Sequence, residues 1–444
     1  MKMFRLLPLF FAVGAALALP AQAQSLVKLY ESARGFDASY QSAKSQYDAT
    51  LAKADQAKSA ILPVANLAAG YSRSRQGYTQ DAATTIESNY GTQSGTLSAS
   101  QPLYRPANWA SYQQGIKQID LAQAQLASAD QDLIVRVSQA YFDVLAAKDS
   151  LAFIQAQKAA VAEQLASAKR NFEVGTATIT DTRDAQAKYD LVVAQEIAAD
   201  NDLRVKKIAL DQLVGAENTQ PQELAQPLNL PALQPEDVKV WVGQSESGHP
   251  VIQQAQIALD VAQLETEKAK AGHKPTLDLG ASYSAINNMD GSSTPGSKGS
   301  HVNSATLGLS FNLPLFAGFA TQNRIRETLS LEEKARNDLE GARRGVAQAT
   351  RTAFFGVLSG LGQVKALEAA EVSSQSALDA NKLGYQVGVR INIDVLNSQS
   401  QLFDTKARLA KARYDVLLGG LKLRQANGTL KADDLQRVNE LLVK

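Results

Sequence analysis

Proline, tyrosine and glycine positions recur along this chain at a nearly constant distance, and that recurrence limits the possible folds more than any other feature. Pro275 minus Pro63, Tyr283 minus Tyr71, Leu309 minus Leu97 and Pro314 minus Pro102 all equal 212. From the Tyr141-Phe142 and Phe354-Phe355 region onward the offset is 213, kept by Val174 and Val387, Asp181 and Asp394, and Gly215 and Gly428. A length of 444 residues alone would suggest two or three domains. An offset held this long requires instead one module written twice. The copies run over 24–215 and 248–428, with a connector at 216–247 and a C-terminal segment at 429–444. Pro221, Pro227, Pro231 and Pro235 make the connector read as non-helical.

The start of the chain narrows its destination. Lys2 and Arg5 precede an apolar run from Leu6 to Leu19, then Pro20 and the small-residue sequence Ala21-Gln22-Ala23. This is the three-part form of a secretory signal peptide, 1–23, with cleavage expected after Ala23. No later stretch approaches the roughly 18 uninterrupted apolar residues that a membrane helix needs. The chain has no cysteine, which excludes disulfides and acylation of an N-terminal cysteine. Removing Lys2 and Arg5 takes the charge from 45 − 44 = +1 to 43 − 44 = −1, so electrostatics gives no reason to expect nucleic acid as a partner.

Proline is absent from Ala107 to Gln220 and from Leu315 to Lys444, where alanine, glutamine, leucine, lysine and glutamate abound, so both spans read as long helices. Leu151, Ile154, Val161, Leu165, Ala168 and Phe172 are spaced by three, four and seven, and the second copy gives Val364, Leu367, Ser374, Leu378, Asn381 and Tyr385. That is the period of supercoiled helices. An ordinary coiled coil or spectrin-like bundle has the same period. A helix over 107–147 alone would be on the order of 60 Å long, a length that suits a spacer or conduit better than a compact catalytic core.

Between the helices the period changes to two. From Thr276 to Ile286, Leu277, Leu279, Ala281, Tyr283 and Ala285 alternate with Asp278, Gly280, Ser282 and Ser284. From Ala305 to Leu315, Leu307, Leu309, Phe311 and Leu313 alternate with Thr306, Gly308, Ser310 and Asn312, after a polar loop over Asn287 to Asn303. The first copy carries weaker versions, with Leu67, Ala69 and Tyr71, then Leu97, Ala99 and Leu103, on the apolar face. A half-buried soluble sheet alternates in the same way. Transmembrane barrel strands need about 9 to 11 such residues with aromatic girdles at the interfaces. Tyr104 and Trp109 match Phe316 and Phe319 at the strand-to-helix junctions, where a girdle would lie. Four strands cannot close a transmembrane barrel, so several chains would have to share one.

The leader, the duplicated helix-strand-strand-helix-helix module, the segment Gly272-His-Lys-Pro-Thr-Leu-Asp-Leu279 and the paired Val-Gly turns in FEVGTATITD (Phe172 to Asp181) and YQVGVRINID (Tyr385 to Asp394) together resemble the TolC family of outer-membrane efflux proteins. The likeness spans nearly the whole mature chain. It is closer to the TolC-like members than to lipid-anchored drug-efflux relatives, which begin with an acylated cysteine. The resemblance implies an α+β membrane protein and a homotrimer. Four strands per chain would close a twelve-stranded transmembrane β-barrel, continuous with a long antiparallel coiled-coil helical barrel that crosses the periplasm to a closed tip. The connector and the C-terminal segment would form an equatorial region. Implied partners are outer-membrane lipid, a periplasmic adaptor (membrane fusion protein) and an inner-membrane pump of ABC, RND or MFS type, with no cofactor. The implied function is a passive exit duct for type I protein secretion, multidrug efflux or both.

Carried over residue by residue, the resemblance makes Asp181 a gate acid and Arg390 its partner, with Tyr385 and Thr180 as neighbouring hydrogen-bonding groups. Asp394 matches the acid at the narrowest point of the pore. The sequence departs from the family pattern at Asn397, where a second ring acid is expected, and at Arg170, where a gate glutamine is expected. Near helix starts, Asp181 and Asp394 would also serve as ordinary caps. Arg390 would serve as a solvated turn residue and Tyr385 as a heptad core residue. The expected lipid-facing or girdle residues are Tyr71, Tyr104, Trp109, Leu279, Tyr283, Leu309, Phe311, Phe316 and Phe319.

Other function classes find less support. His249, His273 and His301 are scattered, and there is neither a cysteine nor a phosphate-binding glycine motif, so no enzyme, metal site or cofactor is expected. A structural periplasmic coiled-coil or adaptor protein without a pore is the competing reading of the long helices, and the alternating strands argue against it.

Overall fold

The computed structural model describes residues 24–79, 85–225, 227–228, 230–292 and 298–443. The expected signal peptide, 1–23, lies outside the described residues. The elements follow the order α1 (Leu26–Phe36), α2 (Ala38–Ser59), β1 (Val64–Thr79), β2 (Thr85–Tyr104), α3 (Pro106–Glu173), α4 (Ile179–Val214), α5 (Val238–Gly248), α6 (Pro250–Lys270), β3 (Thr276–Met289), β4 (Ser300–Asn312), α7 (Ala320–Gln386), α8 (Asn392–Ala426) and α9 (Asp433–Asn439). The order α-α-β-β-α-α thus occurs twice before α9.

The helix α5 falls largely inside the connector expected to be non-helical. It is the second half's copy of α1, since 238 − 26 and 248 − 36 both equal 212, the offset of the repeat. The connector prolines end at Pro235, and Asp237 then caps the new helix by accepting a hydrogen bond from the Lys239 N–H at 2.8 Å. The rest of the connector meets the C-terminal segment, with Leu224 bridging Leu442 and the Val443 N–H donating to the Glu223 carbonyl at 2.8 Å.

Proline at the first position of α3 has no N–H to lose, and no later proline interrupts the helix. The result is 68 residues, or roughly 100 Å at 1.5 Å per residue. Its counterpart α7 has 67. Among the described residues no helix is long and apolar enough to cross a membrane. The helices α2, α3, α6 and α7 lie side by side in that order, and toward the hairpin turns the order is α4, α3, α8, α7.

The four strands form one antiparallel sheet in the order β1-β2-β3-β4, so β2 and β3 join the two halves while β1 and β4 are edges. The strands are longer than expected, at 16, 20, 14 and 13 residues. Both ends of the expected polar loop belong to β3 and β4, because polar side chains pair across the ladder there. Thr92 Oγ1 donates to Asn288 Oδ1, and Asn288 Nδ2 donates to Ser300 Oγ, both at 2.8 Å. At the other end β4 stops at Asn312, before Leu313.

The largest core lies where α1, α3, α4, α8, α9, the connector and the C-terminal segment converge, around Leu26, Leu29, Tyr141, Phe142, Leu418 and Leu435. Two buried tyrosine hydroxyls are paired there. Tyr141 donates to the Gln222 carbonyl at 2.7 Å and Tyr414 to Asp149 Oδ2 at 2.6 Å. Farther along, Val161, Leu165 and Ala168 of the expected seam are buried against Ala185 and Val192 of α4 and Leu396 of α8, while Phe172 is exposed. In the second hairpin Leu378 is buried with Val395 and Leu402.

Candidate functional sites

Two places hold the residues singled out from the sequence. The first is the pair of hairpin turns joining α3 to α4 and α7 to α8. Each ends its long helix with a glycine in the left-handed region, Gly175 at φ 79° and Gly388 at φ 81°, where a Cβ would be strained. Beyond the first turn, Thr178 and Asp181 form a capping box. The Asp181 N–H donates to Thr178 Oγ1, and the Asp181 carboxylate accepts from the Thr178 N–H at 3.0 Å and from its hydroxyl at 2.7 Å. The T-x-x-D spacing that signals this box is visible in the sequence, but Thr178 is not among the expected site residues.

Beyond the second turn, Ile391 offers no side-chain cap, and the Asp394 carboxylate lies 3.6 Å from Arg390 Nη1. Within one chain, therefore, Asp181 is held by Thr178, and Arg390 pairs with Asp394. No Asp181–Arg390 ion pair occurs among the described residues of the single chain. Tyr385 packs against Leu378, Val395 and Leu402, and its hydroxyl accepts from Asn171 Nδ2 at 3.3 Å, joining the second hairpin to the first. Asn171 had no sequence signal, because its partner is 214 residues away. Thr180, Arg170 and Asn397 are exposed near the turns.

The second place is the apolar face of the sheet. The register aligns the greasy positions into continuous rows: Leu67–Leu97–Tyr283–Ala305, Ala65–Ala99–Ala281–Leu307, and Tyr104–Leu277–Phe311. The opposite face runs through Asn66–Ser98–Ser282–Thr306. Leu67 is 78% exposed, Leu307 75% and Leu309 66%, values that place large apolar side chains outside any core of the chain. Tyr71, Tyr283 and Phe311 are exposed on the same face, and Leu279 is half-buried. Tyr104 and Trp109 are exposed at the β2–α3 junction, and Phe316 and Phe319 at the β4–α7 junction, where the two rings meet edge to face at 5.4 Å. On the polar side of the first junction Arg105 makes a two-pronged pair with Asp278, both contacts at 2.7 Å.

The family model described as "Outer membrane efflux protein" matches residues 29–216 and 241–429, one stretch in each half. Outer membrane protein TolC of Vibrio cholerae is 34% identical over 98% of this chain and 98% of its own. The alkaline protease secretion protein AprF of Pseudomonas aeruginosa is 30% identical over 99% of this chain and 92% of its own. The crystal structure of the outer membrane protein VceC from Vibrio cholerae shares the fold with a TM-score of 0.77, covering 91% of this chain and 96% of that one at 18% identity. A greasy exposed sheet carried on helices of this length therefore defines an outer-membrane channel protein of a Gram-negative cell. The chain belongs to the outer membrane efflux protein family.

Proposed function

We propose that the protein is a homotrimeric channel-tunnel that serves as a passive exit duct, joined to an inner-membrane pump through a periplasmic adaptor. The observation that carries this reading is that every layer is left open on the same two sides. The sheet ends at β1 on one side and β4 on the other, and the helical layers end at α2 and α4 on one side and α7 on the other. Exposed apolar residues stripe both helical edges, including Leu191, Ile197 and Ile208 on α4 and Phe355, Leu358 and Val372 on α7. In lipid an open strand edge leaves backbone groups unpaired, so β4 of one copy meets β1 of the next, and α7 meets α2 and α4 in the same head-to-tail sense. Two copies would give eight strands, a barrel filled by its own side chains; three give 3 × 4 = 12 and leave a lumen.

The hairpin turns then lie at the periplasmic tip. Within one chain Thr178 engages Oδ2 of Asp181 and Arg390 lies beside Asp394, so the Asp181–Arg390 latch, supported by Thr180, Tyr385 and Arg170, forms between copies through Oδ1. Asp394 lines the constriction, with Asn397 one turn behind it. The family model is one of outer-membrane efflux and the relative AprF is a protease secretion protein, and type I secretion, multidrug efflux or both fit a duct whose cargo is chosen by the pump. Detergent-extracted protein should have a mass about three times that of the mature chain by light scattering corrected for detergent. A stable monomer that keeps its strand content would sink the shared barrel.

A further inference from the structure

Within each hairpin the helices are held by apolar seams, whereas the joint between the hairpins near the tip sets polar side chains around the apolar contact of Leu396. Asn171 reaches Tyr385 at 3.3 Å, and Gln157 Nε2 donates to Ser400 Oγ at 3.2 Å. Asn392, in the first turn of α8, is 1% exposed, and neither its Nδ2 nor its Oδ1 has a hydrogen-bond partner among the described residues. Gln399, two heptad-spaced turns further along α8, is 4% exposed with Oε1 likewise unpartnered. That spacing is about two helical turns, so the two amides stand on one face of α8 and flank Leu396, which packs into the apolar seam of the first hairpin. These amide atoms are shut off inside a single chain, so neither solvent nor a neighbouring copy reaches them while the hairpins are docked. Buried polar groups without partners oppose the packing that buries them.

We propose that Asn392 and Gln399 are positioning residues that weaken the docking of the second hairpin on the first, and so set how readily the tip widens. Separation of α8 from α3 and α4 hydrates or re-pairs the amides, while the apolar interior of each hairpin keeps it intact as a unit. In a ring of helices, moving neighbours apart widens the bore; this part of the proposal rests on the channel reading, whereas the docking strain does not.

The absence of native cysteine allows the two parts to be measured separately. A Gln157→Cys, Ser400→Cys pair reports docking by its cross-linking rate in the full-length protein, and planar-bilayer recording reports passage. Asn392→Leu, which fills the site without polar atoms, should raise the cross-linking rate and the thermal midpoint. It should also lower the open fraction about tenfold, equivalent to about 1.4 kcal/mol. Gln399→Met should act in the same direction but more weakly. Asn392→Asp, which buries an unpaired carboxylate, should slow cross-linking and raise conductance. A cross-linking rate unchanged by all three variants, or a lower thermal midpoint for both Asn392→Leu and Gln399→Met, overturns the proposal. So does faster cross-linking with unaltered conductance in a parent protein that forms channels. If the parent forms no channels but the cross-linking rates respond as stated, the channel reading fails and the docking role stands.

Discussion

The turns at Gly175 and Gly388 have one backbone and two chemistries. Val174 N–H donates to the Arg170 carbonyl at 3.1 Å and Val387 N–H to the Leu383 carbonyl at 3.1 Å; Gly175 pairs with Phe172 at 3.0 Å and Gly388 with Tyr385 at 3.1 Å. Donors and acceptors alike keep the offset of the repeat from one half to the other. Beyond the turn, the first copy spends its carboxylate on a capping box, whereas the second, with isoleucine where the first has Thr178, leaves Asp394 beside Arg390. The two copies therefore share the main-chain solution, and only the first uses its acid as a cap.

The same divergence occurs at the start of the second helix of each half. Asp37 caps α2, accepting from the Tyr40 N–H at 2.8 Å, and His249, its counterpart in the second half, caps α6 through Nδ1 at 3.1 Å. Asp37 is nearly buried and needs a counter-charge, which Arg136 supplies with two contacts at 2.9 Å. At either repeat offset, 212 or 213, the residue opposite Arg136 is uncharged, Gln348 or Ala349, and a neutral imidazole needs no counter-charge. The Arg136 guanidinium holds the Asp37 carboxyl below the usual carboxylate range, while burial pushes the His249 imidazole below its ordinary value.

If the sheet copies are equivalent while the caps are not, substitutions should divide accordingly. The largest effects should be shared. Leu97→Arg and Leu309→Arg, at matching exposed positions, should each cost about 2 to 4 kcal/mol of insertion if near the bilayer midplane, read as loss of protein from the outer-membrane fraction. Ser282→Arg, on the polar face, should cost much less. Equal tolerance on both faces would dissolve the distinction between a barrel strand and an ordinary amphipathic one.

Next come effects confined to one half. Arg136→Ala should cost about 2 kcal/mol, less than the roughly 3 to 5 kcal/mol of a fully buried pair, because the arginine side chain is 41% exposed. Adding Asp37→His, which copies the second half, should recover much of the loss. For Asp37 the folded value lies below the unfolded one, so its contribution is present above the unfolded value of about 4 and is lost as pH falls through the folded value. For His249 the folded state also binds the proton less readily, so stability is lost as pH falls from about 6.5 toward its folded value. Mild acid should therefore loosen α6 before α2, and amide exchange resolved by segment would show it. Simultaneous loosening would mean that the caps do not set the order.

Much of this was legible in the sequence because the constraints were local. A left-handed turn demands glycine, so two Val-Gly turns at the repeat offset announced two hairpins, and alternation announced β3 and β4 within a few residues. The α5 helix was hidden because four nearby prolines outweighed a short run with an aspartate cap. What joins the hairpins was not legible either: Asn171 and Tyr385, or Asn392 beneath Leu396, acquire meaning only when helices far apart in the chain lie side by side. That Asp181 caps its own helix depended on the threonine three positions before it.

Thr178→Ala should remove the capping box and cost about 1 kcal/mol, while Ile391→Thr should recover part of that in the other copy by creating the missing cap. Smaller still in stability is Arg390→Ser. The pair at 3.6 Å joins a 60% exposed arginine side chain to a 35% exposed aspartate, and such pairs are worth about 0 to 1 kcal/mol. The thermal midpoint should stay near that of the parent. The effect should appear instead in the current, because removing three cations beside three Asp394 carboxylates in the proposed trimer leaves the tip more attractive to cations and more open. Asp394→Asn should shift selectivity the opposite way. Asp181→Asn, which weakens both the Thr178 cap and the proposed latch, should lower stability slightly and raise conductance while leaving selectivity nearly unchanged. If Asp181→Asn moves the reversal potential as far as Asp394→Asn does, both acids face the pore and the division of labour between the turns is wrong.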